Sequence, residues 1–162
     1  LALKNILIKE SLKWSWKSFT YLSKTDLYKI LRLRIEVFVV EQKCAYQDLD
    51  DLDQESNHLM AMNEKGQLIA YLRLIPPGLK FKEPSLSRII TSQKKKYRGI
   101  GLGKDLISRG IKKTKHLYPD AGNRIGAQKQ LVDLYESLGF QISGSPYLED
   151  GIAHVQMVLR HE

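Results

Sequence analysis

The stretch Lys94 to Lys104 constrains the fold of this chain more than any other. Lys94, Lys95, Lys96 and Arg98 give it a cationic flank, and Gly99, Gly101 and Gly103 then alternate with Ile100 and Leu102. An apolar run, Leu86 to Thr91, precedes it and a helix-patterned segment follows. Glycine lets the backbone come close to a ligand and adopt dihedrals that other residues avoid. A helix start directly after it offers unpaired N–H groups and the positive end of a dipole. Strand, basic glycine turn and helix in that order form a seat for a phosphate-bearing ligand. The spacing excludes two familiar seats. Gly99-x-Gly101-x-Gly103 lacks the third-glycine spacing of a dinucleotide fingerprint. Lys104 is followed by Asp105 instead of Ser or Thr, and the gap before it is wrong for a P-loop.

The rest of the chain supplies strands and helices around this turn. Leu12 to Phe19 alternates as a first strand, and Asp26 can cap a helix running to about Glu41 on the apolar positions Leu27, Ile30, Leu31, Ile35 and Phe38. The acidic segment Gln47–Ser56 reads as a solvated loop, with a wall attracting a cationic amine as the alternative. Asn57–Asn63 and Gln67–Ile75 form a hairpin around Glu64-Lys65-Gly66, and Pro76-Pro77-Gly78 ends it. After the glycine turn a helix carries Leu102, Leu106, Ile107, Gly110 and Ile111 on one face and ends near Tyr118-Pro119. Arg124–Ala127 is a short strand. Gln128–Leu138 is a helix with Leu131, Leu134, Tyr135 and Leu138 on one face, stopped by Gly139. Phe140–Ser143 and Ile152–Leu159 close the chain as strands joined across Pro146 to Gly151. The order predicts an α/β (α+β) fold in one domain, residues 1–162, with a central mixed sheet flanked by helices.

Composition narrows the setting. No apolar run approaches the roughly 20 residues that span a bilayer, so no membrane partner is expected. Leu1 to Lys9 is broken by Lys4, Asn5 and Lys9, and no small-residue cleavage site follows, so a signal peptide is not expected. One cysteine, Cys44, excludes an internal disulfide and any multi-cysteine zinc site, and it fits a reducing, cytoplasmic location. The acidic run Asp48, Asp50, Asp51, Asp53, Glu55 fails the calcium-loop template, because Leu52 takes a ligand position and Asp53 stands where glycine is needed. No metal is expected. The formal charge of +8 suits either a nucleic acid or a polyanionic small molecule.

Three further segments bear on the chemistry. Tyr135, in Leu134-Tyr135-Glu136-Ser137-Leu138-Gly139-Phe140, is a core aromatic by spacing alone, yet a phenol with pKa about 10 also keeps a proton to donate at neutral pH. Glu41 is either a solvated helix end within pairing distance of Arg34 along the helix, or a carboxylate able to accept a proton. His154, after Glu149-Asp150-Gly151-Ile152, is either a satisfied strand histidine or a proton-transfer group, and His58 has the same two readings. His116 and His161 look peripheral.

Read as Arg98-x-x-Gly101-x-Gly103, the glycine turn resembles the acyl-coenzyme A pyrophosphate loop of the GNAT superfamily of N-acetyltransferases. Tyr135-x-x-x-Gly139-Phe140 resembles that superfamily's tyrosine segment. Leu33–Gln42, Tyr46-Gln47-Asp48, His58-Leu59, Gly126-Ala127-Gln128 and Glu149–His154 are similar to the ElaA group within it. Gln128 departs from the superfamily, which has asparagine there, while agreeing with the subgroup. The resemblance spans about Asp26 to Leu159 and leaves out the first ten residues.

The resemblance implies the GNAT fold and transfer of an acetyl group from acetyl-coenzyme A to an amine by direct attack, without a covalent enzyme intermediate. The thioester would lie beside Ile89, Ile90 and Thr91. The pyrophosphate would be held by the backbone of Arg98, Gly99, Ile100, Gly101, Gly103 and Lys104, with Lys94 to Lys96 facing the remaining phosphate. Tyr135 would protonate the thiolate, with Glu41 or His154 taking the proton from the amine. The acceptor is a small-molecule or peptide amine, and family members are often homodimers. Two alternatives stay open: a basic module binding nucleic acid, disfavoured because the aromatics of a stacking platform are missing, and a GNAT-fold sensor that binds coenzyme A without catalysis.

Overall fold

The computed structural model describes residues 1–160, so His161 lies outside the described residues. Helix α1 (Ala2–Glu10) comes first, followed by β1 (Lys13–Ser18), α2 (Lys24–Arg34), β2 (Asn57–Met62), β3 (Leu68–Ile75) and β4 (Ser85–Thr91). Then come α3 (Leu102–Leu117), β5 (Asn123–Gln128), α4 (Val132–Glu136), β6 (Gln141–Ile142), β7 (Tyr147–Glu149) and β8 (Ile152–Leu159). The expected elements are present, with four corrections.

The sheet comes first. Instead of one mixed sheet, the described strands form two antiparallel ones, β1-β2-β3-β4 and β5-β8-β6, with β7 also on β8. They meet at one end, where the Arg124 N–H donates to the Pro84 carbonyl at 3.0 Å and the Leu86 N–H to the Asn123 side-chain oxygen at 3.3 Å. No ladder joins β4 to β5 beyond that point, so one edge of β4 is left open.

The second correction concerns the first long helix. Its cap is Ser23, whose hydroxyl accepts the Asp26 N–H while the Asp26 carboxylate accepts the Ser23 N–H, a capping box. At Ile35 the coil widens into a π-helix, Ile35–Glu41, in which Gln42 N–H reaches the Val37 carbonyl. The buried face runs through Ile30, Leu33 and Arg34 of the α-helix and continues at Val37 of the π-helix, with Ile35 outside. Third, the expected 128–138 helix is shorter, because β5 runs through Gln128 and a 3-10 turn (Lys129–Leu131) comes before α4. Ser137 is its C-cap, and Gly139 at φ +92° closes the turn that follows, its N–H donating to the Glu136 carbonyl at 2.9 Å and the Phe140 N–H to the Tyr135 carbonyl at 3.1 Å.

The fourth concerns segments assigned no element. Ala2–Glu10 forms α1, anchored by partly buried Ile8 and a Lys9–Asp105 ion pair at 2.9 Å. Residues 147–149 form β7, paired with β8 through a two-residue turn whose Asp150 and Gly151 both have positive φ (+51° and +78°). This is the Asp-Gly type I′ hairpin signal.

Alternation along β2 and β3 sends side chains to opposite faces. Leu59, Ala61, Leu72 and Leu74 join Leu102, Leu106 and Ile107 of α3, whereas Met60 and Tyr71 join Ile30, Leu33 and Val37 on the α2 side. Helix α3 sits close because Gly110 lacks a side chain: a Cβ there would stand 2.9 Å from both Leu86 methyls.

Candidate active site

A cleft of about 800 Å³ opens where β4 and β5 part. Ile89, Ile90, Thr91 and Gly103 line one part of it, Tyr135, Leu134 and Gln128 its wall, and Tyr46, Lys80, Glu149 and His154 the other part. Arg88 interrupts β4 with φ +51°, and the ladder to β3 shifts register there. That bulge turns the strand beside the cleft. The Arg88 guanidinium stays fixed by Asp48, whose carboxylate and carbonyl accept from it at 2.8 Å each.

The glycine turn forms a seat for an anion. Tyr97 is buried beneath it, its hydroxyl accepting from Asn63 Nδ2 at 3.1 Å, and Ile100 points into the core. Gly101, at φ +78°, is the N-cap of α3 and offers no side-chain cap. The first main-chain bond of the helix is Asp105 N–H to Gly101 carbonyl at 3.1 Å, so the N–H groups of Leu102, Gly103 and Lys104 have no helical partner. A Cβ built on Gly99 or Gly103 would meet nothing within 4 Å. Open space beside unpaired donors, flanked by exposed Lys94, Lys95, Lys96, Arg98 and Lys104, fits a pyrophosphate. The open edge of β4 fits an extended amide-bearing arm such as pantetheine.

Tyr135 is buried, with its ring edge-on to Phe140 at 5.8 Å between centroids. Burial pushes its hydroxyl up to about 12. It therefore keeps its proton throughout the neutral range and can donate it.

His154 lies across the cleft on β8. Its Nδ1 is 2.8 Å from the Ile152 carbonyl, which can only accept, so Nδ1 carries the hydrogen. Nε2 is then free to accept a proton, with the Glu149 carboxylate 3.6 Å away to hold the resulting cation. Tyr147 stacks on the ring at 5.8 Å. The β7–β8 turn brings these three side chains together.

Other candidates lie elsewhere. Glu41 is exposed at the end of the π-helix and is not among the cleft-lining residues, and Arg34 does not pair with it. His58 is fully committed: Nε2 donates to the Asp53 carbonyl at 2.9 Å and Nδ1 accepts from the Tyr71 hydroxyl at 2.8 Å. Burial pushes it below its ordinary value, so it stays neutral. His116 is exposed on α3.

The acidic segment is not a solvated loop. Arg34, Arg73, Asp48 and Asp53 are buried, and with Arg88 and Asp50 they form a closed network of three arginines and three aspartates. Burial alone would raise Asp50 and Asp53, but hydrogen bonds and charge from Arg73, Arg34 and Arg88 hold both carboxyls well below the usual range. The sequence offered one signal for this, three acidic positions at short spacing with three arginines elsewhere. The pairing itself needed the α2 and β3 faces to be placed.

These elements define an acyl-coenzyme A-type acyltransferase scaffold: two splayed sheets, an anion seat at a helix start and a cleft between them. The chain belongs to the GNAT acetyltransferase family, whose acetyltransferase (GNAT) domain matches residues 26–161. It is 35% identical to protein ElaA of Escherichia coli over 148 residues, 90% of this chain and 95% of that protein. A UPF0039 protein of Synechocystis sp. is 41% identical over 149 residues, 92% and 96% of the two chains. The crystal structure of E. coli ElaA superposes with a TM-score of 0.85 at 33% identity, covering 92% of this chain and 99% of that one. An acyl-CoA N-acyltransferase from Pseudomonas aeruginosa gives 0.86 at 40% identity, with the same coverage. The α1 helix lies outside the family match.

Proposed function

We propose that this protein is an N-acetyltransferase that transfers an acetyl group from acetyl-coenzyme A to an amine by direct attack. One observation carries the reading: the unpaired N–H groups at the start of α3 and the open edge of β4 border the same cleft as Tyr135 and His154. The designation of the Pseudomonas relative supports it.

The backbone of Arg98 to Lys104 holds the pyrophosphate, Lys94 to Lys96 face the remaining phosphate, and Ile89 to Thr91 align the acyl arm along β4. The bound thioester supplies an activated acyl carbonyl. His154 Nε2 takes one proton from the ammonium form of the acceptor, and Glu149 stabilises the imidazolium. Glu41, outside the cleft lining, is the alternative base. The freed amine forms the new C–N bond as the C–S bond breaks. Tyr135 gives its proton to the departing thiolate, burial having kept it in place beforehand. The second proton on the nitrogen of the new amide returns through solvent to the tyrosinate, and His154 releases the first to water.

The test is a panel of primary amines with acetyl-coenzyme A, watching free thiol release, for the wild type, Tyr135→Phe, His154→Gln and Glu41→Gln. Turnover that falls in Tyr135→Phe and His154→Gln but survives in Glu41→Gln supports the assignment. Loss in Glu41→Gln with His154→Gln unaffected moves the base to Glu41. Binding of acetyl-coenzyme A without turnover on any amine would leave a non-catalytic coenzyme A-binding protein.

A further inference from the structure

The end of the cleft away from the glycine turn carries a charge pattern that names the acceptor more closely, granted the acetyltransferase reading above. Its acidic, basic and histidine lining residues are Asp50, Lys80, Arg88, Glu149, Asp150 and His154. Two of them are already neutralised. Asp50 accepts two bonds from Arg73, at 2.7 and 2.8 Å, and one from Arg88 at 3.3 Å. Arg88 is in turn held by Asp48. These carboxylates therefore form no wall for a cationic amine. The charges left for a ligand are Glu149 and Asp150 beside His154, and the ammonium of Lys80.

Lys80 has no carboxylate within 4.0 Å among the described residues, and the Phe81 ring centroid lies 5.6 Å from its Nζ. The side chain is exposed on the cleft wall, yet partial desolvation of its ammonium, together with the nearby guanidiniums of Arg88 and Arg73, holds it below the ordinary lysine value against the opposing pull of Glu149 and Asp50. A cation in that position gains from any anion brought beside it. The anion cannot be the pyrophosphate. Lys80 precedes β4 and the glycine turn follows it, so the seven residues of the strand, about 23 Å at 3.3 Å per residue, separate the two seats.

We propose that the acyl acceptor carries an anionic group, a carboxylate or a phosphate, close to its amine, and that Lys80 receives that group while Glu149 and His154 face the amine. The acceptor class is then an amino acid or an aminoalkyl phosphate, and not a polyamine or the lysine side chain of a basic peptide. Lys80 binds and orients the acceptor; it moves no proton.

The experiment is steady-state thiol release with matched amines: an amino acid, its carboxamide, its decarboxylated amine, and an aminoalkyl phosphate of similar length. Each is run with the wild type, Lys80→Gln and Lys80→Arg, with folding checked by thermal melting. The expected result is a wild-type preference for one anionic amine over its uncharged partner. Lys80→Gln should raise KM for that amine on the order of 10-fold or more, the loss typical of a charge-assisted hydrogen bond. It should leave KM for acetyl-coenzyme A and for the uncharged amines unchanged, and Lys80→Arg should retain most of the preference. The carboxylate and phosphate arms identify which anion is read. Turnover with no anion preference, or a Lys80→Gln effect equal on all amines, overturns the proposal and leaves the acetyltransferase reading intact. No turnover with any amine removes both.

Discussion

Asp53→Ala is the substitution whose cost the structure fixes best. Asp53 Oδ1 accepts from Arg34 Nη1 at 2.7 Å and from Arg73 Nη1 at 2.9 Å, and both arginine side chains are 0% exposed. The network of three arginines and three aspartates is neutral, so the change leaves one net positive charge in a place water does not reach. Removing one partner of a buried ion pair costs about 3–5 kcal/mol. Each guanidinium keeps a second carboxylate, Asp48 for Arg34 at 2.8 Å and Asp50 for Arg73 at 2.7 Å, so the lower figure, about 3 kcal/mol, is expected. The His58 bond survives because it ends on the Asp53 main-chain oxygen. For a chain of this size a loss of about 3 kcal/mol lowers Tm by roughly 6–12 °C. Urea unfolding with an unchanged slope, alongside calorimetry, measures it. Asp50→Ala is the control: that side chain is 25% exposed, water can replace it, and about 1–2 kcal/mol is expected. Because Asp50 and Leu52 line the cleft, Asp53→Ala should also raise KM for the amine and leave acetyl-coenzyme A binding unchanged. A loss below about 1 kcal/mol, or a larger loss for Asp50→Ala, would refute the picture of a dry, closed network.

Tyr135→Phe should lower kcat by on the order of 100-fold or more while leaving Tm within a few degrees, since the ring still packs on Phe140 and among the described residues no partner loses a hydrogen bond; stopped thiol-release assays and a melt read both. Gly101→Ala places a side chain at φ +78°, at a cost of about 1–2 kcal/mol, and should raise KM for acetyl-coenzyme A far more than for the amine. Urea stability measured against pH should fall in steps on the acid side. His58 is depressed by burial, so its contribution is present above ~6.5 and lost as pH falls below that value. Asp50 and Asp53 are depressed too, so theirs holds above ~3.9 and is lost further down. On the alkaline side Tyr135 is raised to about 12, so its contribution is complete below pH ~10 and disappears as pH rises through about 12. His58→Asn should abolish the first acid step, and its persistence would show that another group titrates there.

The glycine turn and most of the strands were legible because they depend on local rules: a Gly-rich helix start, alternation, and Pro and Gly punctuation. The buried network was not. Arg34 and Arg73 are far apart in sequence from Asp48 and Asp53, and only the facing of α2 onto β3 makes a loop of five acids a core element. The same gap explains the two proton-transfer candidates, Glu41 and His154, that the sequence left open. Glu41 follows a helical pattern, but the π-turn carries it outward. His154 gains its carboxylate neighbour and a fixed Nδ1 hydrogen from the Asp150-Gly151 hairpin, a two-residue turn inside a segment that otherwise has the composition of a loop. Helix α1 offered only a mildly apolar run, and its anchor Lys9 meets Asp105 nearly a hundred positions later.

Calorimetric titration of acetyl-coenzyme A into the wild type and into Gly101→Ala tests the central claim most directly. One-to-one binding to the wild type, weakened in Gly101→Ala and absent for acetyl-pantetheine lacking the pyrophosphate, is the predicted result. No heat of binding with the wild type, or equal binding of acetyl-pantetheine, would contradict the account.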